Sequence, residues 1–153
     1  MTRRLALLAS MVLLLANGCG HEDAPLPQVP ALLVQHPEPP LGTELNGRLV
    51  QASAQALERL EPQWGKFSPA IYTTAASQQA QIPQALRAAM PAGWKEEAVD
   101  SALRHARLIA FSNGDKLFAA VIVEPGDTSV VPVLVLRNDP LAQAMRAQGT
   151  RPR

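Results

Sequence analysis

The sequence predicts an α+β fold, an antiparallel meander of three to four strands packed by two or three helices. Residues 107–112, 116–124 and 129–137 are runs rich in Val, Ile, Leu and Phe, separated by Asn113-Gly114 and by Pro125-Gly126-Asp127. Asn-Gly is favoured in tight hairpins because both residues tolerate positive φ. Ahead of these runs, apolar residues recur at three- and four-residue spacings, as helices that bury one face require. Of the 153 residues, the 135 after position 18 suffice for one modest hydrophobic core and not for two.

In chain order, Arg3 and Arg4 open the sequence and residues 5–16 form an almost unbroken apolar run, the pattern of a secretory signal peptide. Twelve helical residues at about 1.5 Å each reach roughly 18 Å, short of the roughly 30 Å hydrocarbon core that a spanning helix must cross. Ala16-Asn17-Gly18-Cys19 follows. In Gly18 and Cys19 this resembles the lipobox of bacterial lipoproteins, where small residues precede a cysteine that is lipidated on sulfur and becomes the new N-terminus. The resemblance implies a signal peptide over 1–18, lipidation at Cys19, and a place in the cell envelope, at the outer membrane facing the periplasm if the host is diderm. Cys19 is the sole cysteine, which excludes an intramolecular disulfide. Each buried acyl methylene contributes about 0.8 kcal/mol, so two or three chains make a lasting anchor to the membrane.

Residues 19–43 read as a lipidated cysteine followed by a proline-rich tether. Pro25, Pro27, Pro30, Pro37, Pro39 and Pro40 remove backbone donors and fix φ too often for helix or sheet to propagate. At about 3.1 Å per residue such a segment holds a domain several nanometres from a bilayer. Leu32-Leu33-Val34 is either a short strand at the domain's edge or an apolar bead in the tether, and the proline density favours the bead.

The folded domain is expected over 44–148, with 149–153 as a frayed tail. Asn46 suits an N-cap for a helix from about Gly47, with Leu49, Val50, Ala54, Leu57 and Leu60 as its apolar stripe and Pro62 as its stop. Trp64 and Phe67 fall in a turn over 63–68, where aromatics of this area cap a core. Ile71 and Tyr72 suit a short strand over 70–74. Ser77 reads as an N-cap, but Pro83 sits most comfortably at the start of the second helix, which carries Ile82, Leu86, Ala89 and Met90 on one face and ends at Pro91 and Gly93. Residues 72–136, with their helix, the closing Gly93-Trp94 and the strands that follow, resemble a small domain of uncharacterised bacterial envelope lipoproteins. That resemblance implies fold and location and carries no catalytic signature.

Between residues 95 and 105, Val99, Ala102, Leu103 and Ala106 have helical spacing, and acidic residues precede basic ones as a helix dipole favours, so a third helix is expected. In the strand that follows, Leu117, Ala119, Val121 and Val123 alternate with Phe118, Ala120 and Ile122. Both faces are apolar, which predicts a strand covered on both sides, or on one side with a surface left for a partner. Pro132 cannot donate to a ladder and predicts an edge strand or a bulge. Asp139-Pro140 opens a short helix through Ala147.

Chemistry-bearing patterns are sparse. His21, His36 and His105 stand apart in sequence, so no convergent metal-ligand set is expected. Glu96, Glu97 and Asp100 read as a solvated charge cluster rather than a carboxylate site. No serine lies in a nucleophile elbow, no Gly-rich phosphate loop is present, and neither a cofactor nor enzymatic activity is expected. Without Arg3 and Arg4, twelve of the fourteen basic residues remain against thirteen acidic ones, which argues against a nucleic-acid partner. The sequence therefore points to a binding or accessory module at the envelope, toward an envelope protein, a cell-wall glycan or a secreted hydrolase. Trp64, Trp94 and Phe118 are the candidates for a partner surface. The alternatives are a small periplasmic hydrolase, which needs carboxylates or His105 to converge in a cleft, and a structural spacer.

Overall fold

Alternation of apolar residues along three consecutive strands builds the centre of the sheet. The computed structural model describes residues 25–36 and 41–138. Strand β5 (Ala106–Asn113) runs into β6 (Lys116–Val123) and then β7 (Val130–Asn138), the expected antiparallel meander. The first turn lies one residue later than the Asn-Gly pair suggests. Asn113 and Lys116 are register partners, so Gly114 and Asp115 are the central residues, and Gly114 takes φ 61° where a type II′ turn needs its first positive φ.

The sheet is larger than the meander, because other segments add to both of its edges. β2 (Phe67–Ala75) pairs with β7 along its whole length, and β1 (Val34–Gln35) pairs with β2. On the far side β3 (Lys95–Glu96) and β4 (Ala102–Leu103) pair with opposite ends of β5. Among the described residues the result is a seven-stranded antiparallel sheet with the order β1-β2-β7-β6-β5-β3, β4 lying off this path beside β5.

Strand β7 is thus internal, not the edge that Pro132 predicts, and the register explains how. The carbonyl of Ile71 accepts from the His36 amide, so backbone groups at odd positions of β2 point away from β7. Pro69 in β2, and Pro132 opposite Thr73, share that orientation. The ladder between β6 and β7 stops at Ile122 and Val133, one position short of Pro132. Each proline lacks its amide where no donor is called for.

Two layers cover the sheet. On one face lies α1 (Thr43–Trp64), which starts about one turn before the expected Gly47. Gly42, with φ 88°, precedes it and its carbonyl accepts from the Asn46 amide, so Asn46 is a first-turn residue and not the cap. Pro62 lies inside the last turn rather than beyond it, on the solvent side, where water can satisfy the carbonyl it leaves free. The buried stripe is Leu45, Leu49, Ala52, Ala56 and Leu60. Ala52 and Ala56 meet Ala110 and Ala119 in one fully buried cluster, and these small side chains bring the helix close to the sheet. Val50 and Ala54, expected in the stripe, are exposed, and Leu57 is half-buried at its flank.

The opposite face is covered by a 3₁₀ segment (Ala76–Gln81), α2 (Ile82–Ala88) and the chain from Pro25 to Gln35. Pro83 sits in the first turn of α2, and Ser77 lies in the 3₁₀ segment without capping a helix. Ile82, Leu86, Trp94 and Leu33 pack on Ile109, Phe111, Phe118, Ala120, Ile122, Val131, Val133 and Val135. The two faces of β6 are therefore both covered.

Two further segments differ from the sequence expectation. The expected helix between 95 and 105 is a pair of short strands joined by an irregular loop. Leu103 and Ala106 are cross-strand partners about a two-residue turn, Arg104-His105, in which His105 takes φ 58°. A two-residue hairpin places its flanking residues three apart, which imitates helical spacing. The Leu32-Leu33-Val34 cluster is not a bead on a free tether either. Leu33 is buried at 5% exposure and Val34–Gln35 is a strand. Residues 139–153, with the short helix expected there, lie outside the described residues.

Candidate functional site

A groove opens on the α1 face because the helix sits over the centre of the sheet and leaves β2 partly uncovered. Leu49, Val50, Ser53, Ala54 and Leu57 form one wall, and Pro69, Ile71 and Leu134 form the floor. Its volume is about 470 Å³ and no charged residue lines it. Val50, at 69% exposure, is among the most exposed large apolar side chains of the described residues. Beside the groove, the short run from Val34 to His36 bonds to the outer edge of β2. Pro69 blunts the rest of that edge against a further strand. The groove is therefore suited to apolar side chains, such as one face of a short helix, more than to strand addition.

A second depression, of about 570 Å³, lies at the other end of the sheet between the 3₁₀ segment and the ends of β5 and β6. Ser77, Gln79, Arg107 and Glu124 give it polar walls. At its rim His105 Nδ1 stands 3.5 Å from Glu124 Oε2, and the His105 carbonyl accepts from the Glu124 amide. Both side chains are about half exposed, at 45% and 59%. No hydrogen bond joins Ser77 to His105 among those described. A solvated pair of this kind lacks the fixed orientation that a general base requires.

The three acidic residues of 96–100 do not converge. Glu96 receives two hydrogen bonds from Arg87, at 2.7 and 2.9 Å. Glu97 accepts from the Ser112 hydroxyl. Asp100 accepts from the Ala102 amide and lies 3.3 Å from Arg59, which also donates to the Asp100 carbonyl. Each pins a different part of the loop to α2, β5 or α1, which is a structural task. The hydrogen bond from Arg87 is the main cause that holds the Glu96 carboxyl below its ordinary range, aided by the guanidinium charge and opposed by partial burial. Because the folded value lies below the unfolded one, the pair's contribution is complete at neutral pH and is lost as pH falls through the lowered value. Side-chain exposures of 46% and 42% keep that contribution small and sensitive to salt. Glu96→Gln should accordingly lower the urea midpoint slightly at neutral pH, by an amount that shrinks as acid protonates the carboxyl in the folded state. A shift that stays constant on acidification would assign the effect to packing instead.

The aromatic candidates are mostly inside. Phe118 is fully buried and Trp94 is 9% exposed, so neither offers a surface. Burial of a large ring in the core between the sheet and α2 outweighs any use of it at a surface. Trp64 is half-buried against the α1-side cluster. The exposed apolar side chains, Leu26, Val34 and Val50, were not among the sequence candidates, and for Val50 the signal was its pairing with Ala54, which widens the stripe of α1. His36 lies beside β2, and Cys19 and His21 fall outside the described residues. Among the described residues no group of His, Cys, Asp or Glu could hold a metal ion, and no helix is long and apolar enough to cross a membrane.

Compared with protein-family models, curated proteins and solved structures, the chain has no match.

Proposed function

We infer that this chain is a lipid-anchored cell-envelope protein whose domain works by binding, as an accessory module to another envelope protein. The address rests on the basic start, the apolar run and Gly18-Cys19, with the outer membrane's periplasmic side as its site in a diderm host. The binding role rests on one observation, the uncharged groove beside α1 with Val50 exposed at its wall. An apolar opening of this size suits a short amphipathic segment of a partner protein and offers little to a glycan, whose hydroxyls need polar walls. The hydrolase alternative has His105 and Glu124 at the polar cleft as its one supporting feature.

The test uses the full-length protein made with its own leader. Its intact mass should lack residues 1–18 and carry acyl chains, and Cys19→Ser should abolish both acylation and membrane partitioning. Cross-linking in native membranes should then give an envelope-protein adduct that Val50→Glu removes without lowering the unfolding midpoint. An unacylated, soluble product refutes the anchor, and an adduct indifferent to Val50→Glu refutes the groove. Turnover of a cell-wall or ester substrate lost in His105→Ala would favour the hydrolase.

A further inference from the structure

We propose that the strap formed by residues 25–35 holds the domain against the membrane in one orientation, with the strap and α2 toward the lipid headgroups and α1 with its groove turned away. This rests on acylation of Cys19 as proposed above. The strap is part of the fold from its first described residue. Trp94 Nε1 donates to the Pro25 carbonyl at 3.1 Å, and Arg137 Nη2 donates to the Pro27 carbonyl at 3.1 Å. Leu33 is buried and Val34–Gln35 is paired with β2, so the strap is fixed at both ends. What remains between anchor and domain is the stretch from Cys19 to Pro25. Six residue steps span at most about 20 Å even when fully extended.

A domain of about 110 residues has a radius of gyration near 13 Å, so its width exceeds that span. Pro25, where the leash meets the domain, lies on the side of the sheet where α2 and Trp94 lie. The leash is too short to carry Pro25 around the sheet and present α1 to the bilayer. The several-nanometre stand-off that a free tether would allow is therefore absent.

The face that this geometry presents has the chemistry of a lipid-contacting surface. Around the start of the strap lies a shallow depression of about 460 Å³, lined by Leu26, Val29, Pro30, Ala31, Ala89 and Pro91 among others, none of them charged. Leu26, in its lining, is 54% exposed. The depression itself can enter the headgroup boundary without desolvating a charge, while the half-exposed Arg87–Glu96 pair of α2 and β3 stays among the polar headgroups, and interfacial contacts of this kind reach about 5–10 Å deep. The acyl anchor supplies the attachment, and the face determines which way round the domain sits.

The acylated sulfur of Cys19 leaves no native thiol, so an introduced cysteine is the sole labelling site. Leu26→Cys and Val50→Cys, at exposed positions on opposite faces, are labelled with an environment-sensitive fluorophore. The full acylated protein is then placed in vesicles of zwitterionic and anionic phospholipid that contain a headgroup-level spin-labelled lipid. The label at 26 should be quenched about twofold or more and the label at 50 left near its value without quencher, given the depth of interfacial contacts. A long Gly-Ser insertion after Ala24 should reduce the difference by letting the domain turn freely. Equal quenching at both positions, or stronger quenching at 50, overturns the orientation. The mass of the same samples separates the causes: without acyl chains the anchor itself is refuted, and with them present only the orientation is.

Discussion

Phe118→Ala is expected to lower folding stability by about 3–5 kcal/mol, seen as a lower urea midpoint with an unchanged slope. Phe118 is fully buried in β6, with Phe111 of β5 and Arg137 of β7 as its register partners on either side. Ladders on both flanks hold those neighbours, so the space left by the ring cannot close, and the cost lies toward the upper part of the range for large-to-small changes. The same substitution reaches the strap. The Arg137 guanidinium lies 5.3 Å from the centre of the Phe118 ring while it donates to the Pro27 carbonyl. Losing the ring removes the platform that orients the guanidinium. Residues 25–33 should then become more accessible to limited proteolysis than those of α1. A loss below about 1 kcal/mol would mean that the strap-side layer is not packed as described.

Asn138→Ala is expected to cost about 3 kcal/mol, although Asn138 is far smaller than Phe118. Its side chain is buried and joins three places in the fold. Nδ2 donates to the Trp64 carbonyl at the end of α1 and to the Asp115 carbonyl in the hairpin turn, both at 2.9 Å, and Oδ1 accepts from the Leu117 amide at 2.5 Å. Removing the amide leaves three backbone groups to find other partners at a cost of about 1–3 kcal/mol each, less whatever water recovers. Asn138→Asp separates hydrogen bonding from volume. An ionised carboxylate there faces two carbonyl oxygens, whereas a protonated one can donate to one of them. The folded variant should therefore hold its proton more tightly than the unfolded chain, and its stability should rise as pH falls, unlike that of the parent. A variant with no such pH dependence would show that Asn138 acts through packing alone.

What the sequence made legible was whatever its periodicity encoded. The alternation Leu117, Ala119, Val121, Val123 against Phe118, Ala120, Ile122 placed β6 between two covered faces, and the strand runs located β5 and β7 within a residue or two. The helical stripe located α1, but Val50 and Ala54 turned its apparent axis toward the groove. Periodicity misled between 95 and 105, because a two-residue turn through His105 puts Leu103 and Ala106 at a helical interval. Prolines misled twice. In β7, whether Pro132 can sit inside a sheet depends on where the neighbouring ladder stops, which is a property of the partner strand. In the strap, prolines lack donors but keep acceptors, and the carbonyls of Pro25 and Pro27 are met by Trp94 and Arg137, far away in sequence. The groove was least legible, since it arises from where α1 sits across the sheet rather than from any local pattern.

The contact between Arg137 and Pro27 spans 110 residues. A chain made from its N-terminus at about 5–20 residues per second reaches Arg137 roughly 5–20 s after Pro27. Over that interval one of the strap's two carbonyl ties has no partner, and β7, against which β2 and then β1 are laid, does not yet exist. Completion of the last strand closes that window, so the strap, made first, is among the last segments to dock.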